Sequence, residues 1–551
     1  LINVLLITSF CPRLLIVDPL VETKSGLIRG FNSDDGSYAK FLGIPYAVVD
    51  ETRPFAPSTP QGSFNETFNA FDDSIVCHQS QRDGSIVGQI QCLNLNVYVP
   101  NAASTQNPLP VLVHIHGGAF VGGDSRGMGT PDYLIKHDVV FVSINYRLGI
   151  YGFFCTDSPN APGNIGLKDQ LLALRWVREN IDAFGGNPNQ VTVFGESAGG
   201  MSVHLHILSP HEKLFERAII QSGPATSPLT IVQLDNNLPL RVSADLGFVT
   251  VSVDEALEFI ARADVHLAIA AGKNLQSDTI YSNEPLTKAC VEREFEGIDR
   301  FVTENPNDLN PEKVRTIPII IGYASQEMKL QHGSQTEEYF FDNYSFDQIL
   351  SFGFKLEDSE EMIDTLKHFY IGDMSPSVAL GNEITSYGSD FTFNHPVERA
   401  IQNIDAVYQY VFSYEGDDDS MGENIANITG ASHTSESKYL FKSDRLDEAE
   451  HRDIIDRLTT MWTNFAKYGY VNPTPEISDL LPVKWEPATR DTRPYLDIDR
   501  DLSLKSRSFH ERMAFWDLFY KVKGRIKRAT KGFFLNPLVA LFRQNNKIIT
   551  F

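Results

Sequence analysis

The stretch VTVFGESAGGMSVHLHIL, Val191 to Leu208, decides the fold. A short apolar run with two β-branched valines stops at Gly195, a serine follows, and small residues lead at once into helix-compatible sequence. Strand, sharp turn and helix in that order form a nucleophile elbow, in which a strained backbone exposes one hydroxyl at the head of a helix. The helix dipole and its free amides then face any negative charge that develops there. The glycines two before and two after Ser197 let neighbouring backbone approach the turn closely.

Working outward, short continuous apolar runs appear at Val111–Ile115, Val139–Tyr146, Val191–Phe194, Ala218–Gln221, Ile317–Ile321 and Ala406–Phe412. Such runs suit strands buried on both faces. Between them LKDQLLALRWVRENIDAF places Leu167, Leu171, Leu174 and Val177 on one helical face, with Gly185 and Gly186 ending it. This alternation predicts an α/β fold with a large, mostly parallel central sheet and helices on both faces.

The chain offers a second G-x-S-x-G, GDSRG at Gly123–Gly127. No strand precedes Ser125 and further glycines flank it, so that copy reads as a flexible loop and Ser125 as a decoy. A serine needs a histidine to take its proton, and the histidine needs a carboxylate to fix its tautomer. On this fold the partners follow in the order acid then histidine, each beyond a strand end. Glu327 comes a few residues after IPIII, and His433 lies in GASHTSE after AVYQYVF. The loop HGGAF after the strand VLVHI supplies amides for an oxyanion, which assigns the hole to Gly118, Ala119 and Ala198. The pairs His114/His116 and His204/His206 have metal-like spacing, but the first abuts this loop and the second lies in the helix after the elbow. No metal and no organic cofactor are expected.

The chain of 551 residues has a net charge of −24, which excludes a nucleic-acid backbone as a natural partner. The stretch from Lys521 to the end carries eight Lys or Arg and no acid. Its apolar run FFLNPLVALF is too short to span a bilayer, leaving a loosely docked tail or weak membrane-surface contact as the readings. Residues 1–17 read as the later part of a secretory signal, the alternative being a buried first strand. Sequons at Asn65, Asn343 and Asn427 fit a secreted chain. Five cysteines are too few for a disulfide scaffold, and Cys77 and Cys92 are spaced to close one exposed loop.

From about residue 20 to 520 the chain resembles the carboxylesterase/cholinesterase family, and within it the animal, arthropod-like carboxylesterases. The resemblance rests on FLGIPYA, CLNLNVYVP, HIHGGAF, INYRLGIYGFF, GNIGLKDQLLALRWVRENIDAFGGNP, VTVFGESAGG, QSG and ERMAFWD. It implies one α/β-hydrolase domain over residues 18–520, with a basic tail at 521–551. It also implies a Ser197–Glu327–His433 triad, polar supporting positions at Glu196, Ser222 and Glu436, and a Cys77–Cys92 disulfide. The expected activity is hydrolysis of uncharged or apolar carboxylic esters of small molecules through an acyl-enzyme.

The departures from the family pattern narrow this reading. HQSQRDGSIVGQIQ holds no tryptophan and KLQ follows Met328, so a quaternary ammonium lacks its aromatic partner and acetylcholine is not the expected substrate. Ile90-Gln91 replaces the usual Glu-Asp, Ala119 stands where many relatives have Gly, and Met328 and Thr434 replace glycines after the acid and the histidine. Two alternatives stand beside the esterase reading. One is a non-catalytic, cholinesterase-like adhesion protein, against which the complete triad argues. The other is a hormone-selective esterase of the juvenile hormone esterase type, which GASHTSE and LKDQ suit and GESAG does not. Oligomeric state is not legible in the sequence.

Overall fold

The computed structural model describes residues 18–81, 83–275, 287–340, 346, 360–402, 404, 407–416, 424–444, 446–472, 477–489 and 491–533. The expectations for residues 1–17, for Asn343 and for the tail beyond Phe533 lie outside them.

Eleven strands form the central sheet: β1 (Phe31–Asn32), β2 (Tyr38–Pro45), β3 (Asn94–Pro100), β4 (Leu109–Ile115), β5 (Val140–Ile144), β6 (Gly186–Glu196), β7 (Arg217–Gln221), β8 (Ile319–Ala324), β9 (Val407–Phe412), β10 (Pro494–Ile498) and β11 (Leu502–Ser506). Their spatial order is β11-β10-β9-β8-β7-β6-β4-β5-β3-β2-β1. Neighbours from β5 through β10 pair in parallel, while β1, β2, β3 and β11 pair antiparallel at the edges. Each apolar run predicted as a strand lies in the parallel part, whose two covered faces demand that composition.

The helices that matter for the site are α1 (Ile165–Asn180), α2 (Ala198–Leu208), α3 (Glu360–Ile371), α4 (Gly381–Ser389), α5 (His395–Ile401), α6 (Arg452–Tyr468) and α7 (His510–Phe533). A π-helical turn, Asp390–Asn394, joins α4 to α5. Helix α1 stops at Asn180, short of the predicted end, and a 3-10 turn, Ile181–Phe184, carries the chain to Gly185, which adopts φ 74° and closes that turn. The first part of the basic tail, to Phe533, continues α7.

Strand alternation divides the core. Val111, Val113, Val191, Val193, Ile220 and Ile321 pack on one face with Leu167, Leu171, Leu174 and Val177 of α1. Leu112, Phe194, Ile219, Ile320 and Tyr410 pack on the other with Leu458, Trp462 and Phe465 of α6. A third cluster joins Met328 to Tyr387, Phe391 and Phe393 and to Met513 and Trp516 of α7. The sheet is thus a rigid platform, and the loops at the carboxyl ends of β4, β6, β8 and β9 carry the predicted site. No helix among the described residues is long and apolar enough to cross a membrane.

Candidate active site

Strand β6 ends at Glu196, Ser197 adopts φ 56° and ψ −124°, and α2 begins at Ala198. A non-glycine residue in that region carries on the order of 1–3 kcal/mol of strain, held by its surroundings. Here the Ser197 amide donates to Gln221 O at 2.9 Å, which fastens the turn to β7. Gly199 is obligatory, since a Cβ there would lie 2.0 Å from Ile115 O on β4.

The loop after β4 runs directly against this elbow. A Cβ on Gly117 would stand 3.1 Å from that of Ser197. Gly118, Ala119 and Phe120 all have positive φ, 107°, 55° and 64°. Gly118 O accepts from the amides of Val121 and Gly122 at 3.0 and 3.1 Å, and Phe120 O accepts from Gly149 N at 2.7 Å. With those carbonyls turned outward, the amides of Gly118, Ala119 and Ala198 find no acceptor among the described residues. Glu196 binds the loop to the elbow: its Oε1 accepts from Gly117 N at 2.9 Å and its Oε2 bonds His114 Nε2 at 2.8 Å. Burial works to raise its pKa, but His114 and the Gly117 amide outweigh burial and hold it below the ordinary carboxylate value.

Glu327 is buried beyond β8, accepting from Ala324 N at 2.8 Å through Oε1. Its Oε2 bonds His433 Nδ1 at 2.5 Å, and His433 N donates to Glu327 O at 3.2 Å. The two loops are zipped further by Gln326 N to Ala431 O at 2.9 Å and Ala431 N to Ser325 Oγ at 3.0 Å. A carboxylate on Nδ1 assigns the proton to that nitrogen and leaves Nε2 as the base. Burial pulls the His433 pKa down, yet Glu327, with smaller help from Glu436 and Glu196, brings it above the ordinary value.

Glu436 is wholly buried; its Oε1 accepts from Tyr410 Oη at 2.7 Å and Gln221 Nε2 at 3.4 Å. Burial first, then the charge of Glu327, pushes its pKa up to about 7. Glu436 Oε2 and the buried Ser222 Oγ have no hydrogen-bond partner among the described residues.

Other expectations meet mixed outcomes. Ser125 lies in a loop, but it is buried, with its amide on Asn145 Oδ1 at 2.7 Å and its hydroxyl taking Asn96 Nδ2 at 3.2 Å, so the loop is anchored and not free. The two asparagines, distant in sequence, do what local composition could not reveal. His204 Nδ1 accepts from Ala225 N at 3.0 Å and His206 Nε2 faces Gln170 Oε1 at 3.1 Å; burial depresses the two pKa values to about 4 and about 3. These are neutral, hydrogen-bonded core groups. His116 bonds Gly117 O and stacks on Tyr146.

Cys77 and Cys92 are joined, as the resemblance implied. Gln91 replaces the lost carboxylate with neutral bonds to Val49: its Oε1 takes Val49 N at 3.1 Å and its Nε2 gives to Val49 O at 2.8 Å. A second disulfide, Cys155–Cys290, was not foreseen; with a sequence separation of 135 no local pattern announces it. Thr434 takes the left-handed φ of 68° that explains the family's glycine there. Asn65 and Asn427 are exposed. Sequence reasoning also missed the 381–401 segment, from which Ser389 Oγ accepts the Met328 amide at 3.1 Å and Phe393 packs its ring 4.7 Å from that of His433.

The Carboxylesterase family matches residues 17–516. The chain is 32% identical over 504 residues to esterase FE4 of Myzus persicae, covering 85% of this chain and 88% of that protein. It is 32% identical over 508 residues to the juvenile hormone esterase of Tribolium castaneum, covering 83% and 84%. Against the human bile salt-activated lipase it is 30% identical over 540 residues, 91% of this chain and 69% of the lipase. The chain is a carboxylic ester hydrolase and belongs to the carboxylesterase family.

Proposed function

We propose that the chain hydrolyses uncharged, apolar carboxylic esters by way of a Ser197 acyl-enzyme. The reading is supported by a strained serine at the head of α2, a buried Glu327 carboxylate bonded to the His433 imidazole, and three amides without an acceptor among the described residues. His433 Nε2 takes the Ser197 proton as Oγ attacks the ester carbonyl carbon. The amides of Gly118, Ala119 and Ala198 hold the tetrahedral oxyanion. His433 then gives the proton to the departing alkoxide, and water deprotonated by the same nitrogen releases the acid. Glu327 orients the ring and stabilises the imidazolium throughout. Every group in this sequence belongs to the chain itself.

The apolar substrate class rests on the missing tryptophan of the Cys77–Cys92 loop and on KLQ after Met328. A hormone-selective esterase is a second reading, favoured by the likeness to the Tribolium enzyme and disfavoured by GESAG. The likeness to named esterases counts against the adhesion alternative. One domain over residues 18–520 and export to an oxidising compartment complete the proposal, supported by two disulfides and the exposed Asn65 and Asn427.

The test compares p-nitrophenyl acetate and butyrate turnover by wild type, Ser197→Ala and Ser125→Ala, with an organophosphate label located by peptide mapping. Turnover and label lost only in Ser197→Ala are the expected result. Retained turnover in Ser197→Ala, or label on another residue, overturns the assignment.

A further inference from the structure

The helical segment Gly381–Ile401 touches the predicted acid loop, the predicted base and the loop beyond β7, and none of the activity assigned above uses it. We propose that its π-helical turn, through Phe393, is a positioning device for the His433 imidazole, and that α7 holds the turn in place through Asp390. The inference rests on the triad proposed above.

The physical argument starts at Pro396. Proline has no N–H, so the carbonyl four residues before it, Thr392 O, loses its helical donor. The Ser227 hydroxyl supplies that donor at 2.8 Å, and the Thr226 hydroxyl donates to Pro396 O at 2.7 Å. Residues following the β7 loop therefore stitch the turn to the sheet where its own hydrogen-bond ladder is broken. One-turn π insertions shift side-chain register and concentrate at functional sites.

The altered register sends neighbouring side chains to different targets. Phe391 faces Trp516 of α7, with ring centroids 5.8 Å apart, while Phe393 faces His433 at 4.7 Å with a 34° tilt. Asp390 is fully buried and accepts from Tyr370 Oη at 2.7 Å, Asn394 Nδ2 at 2.8 Å and Arg512 Nε at 3.2 Å. Trp516 Nε1 in turn donates to Tyr370 Oη at 2.8 Å. Just upstream, Ser389 Oγ accepts the amide of Met328, the residue after Glu327. The same segment thus fixes the acid loop by the Met328 amide on Ser389 Oγ and by Gln326 Nε2 on Ser386 Oγ at 3.1 Å, and the base by one aromatic face. Glu327 restrains one edge of the imidazole, and the Phe393 ring restrains its tilt, which the carboxylate alone leaves free.

The test measures kcat, KM and the organophosphate labelling rate for Phe393→Leu, which keeps apolar bulk but removes the planar face, beside wild type. Misplacing a reacting group by about 1 Å costs up to ~100-fold in rate. We expect kcat for p-nitrophenyl acetate and the labelling rate to fall together by roughly 10- to 100-fold with KM unchanged, beside a lowered thermal midpoint from the trimmed core side chain. Ser227→Ala, which removes the hydroxyl that donates to Thr392 O and accepts from Leu229 N at 3.2 Å, is expected to show the same split at smaller size and decides the matter if Phe393→Leu does not fold. Arg512→Lys is expected to keep more kcat than Arg512→Met. Wild-type labelling beside equal labelling and kcat in the folded variants overturns this inference alone, as does a kcat loss matched by an equal rise in KM. A wild type that does not label at Ser197 overturns the triad and this inference with it.

Discussion

Replacing Glu436 by Gln offers a quantitative probe of the electrostatics beneath the site. In the native chain the pKa of this wholly buried carboxyl is pushed up from 4.5 to about 7, by burial and then by Glu327. Between those values the native state keeps a proton that the unfolded chain has released, so stability falls as pH rises through the window and levels off above it. A shift of roughly 2.5 units at about 1.36 kcal/mol each amounts to about 3 kcal/mol. Gln retains the acceptor for Tyr410 and Gln221 but cannot titrate. Urea unfolding of both proteins is therefore expected to show the variant gaining about 3 kcal/mol relative to wild type between pH 5 and pH 8. The charge of Glu436 also helps raise the His433 pKa, so the acid limb of kcat/KM is expected at lower pH in the variant. Parallel stability curves across the window would refute the reasoning.

Three further outcomes follow from other parts of the structure. Thr434→Gly relieves a β-branched residue at φ 68°; set against the extra entropy glycine loses on folding, the variant is expected to gain about 0.5–1 kcal/mol in urea titration. Arg147 pairs with Asp169 in the core, its Nε and Nη2 donating at 2.8 and 2.7 Å; Arg147→Met strands the carboxylate and is expected to cost about 3–5 kcal/mol. Removing Cys155–Cys290 with serines frees a chain separation of 135 residues against 15 for Cys77–Cys92. The loss of stability is expected to be about 5 against about 3 kcal/mol, and the reverse order in denaturant unfolding would contradict the chain-entropy account.

The parts of the site legible in the sequence are those built by short-range geometry. An apolar strand, a glycine-flanked serine and an immediate helix occupy adjacent residues, so Ser197 and its turn could be read from Val191–Leu208. The meeting of Glu327 with His433 could be anticipated because each follows a recognisable strand. Gln91 was readable only as a lost carboxylate, because its compensating bonds run to the backbone of Val49. The anchored state of Ser125 was invisible for the same reason, since Asn96 reaches it from β3 and Asn145 from the position just after β5.

Sequence by itself determined the alternation of strands and helices, the turn at Ser197, the meeting of Glu327 with His433, and the lack of a tryptophan in the Cys77–Cys92 loop. Hydrophobic runs and turn residues act over a few positions, so they survive without knowledge of the fold. Tertiary structure alone decided the Cys155–Cys290 pairing, the buried proton affinity of Glu436, and the bracing of Glu327 and His433 by Ser389 and Phe393. Each of these depends on which groups share a low-dielectric interior or a packed contact, and those neighbours come from segments tens to hundreds of residues apart.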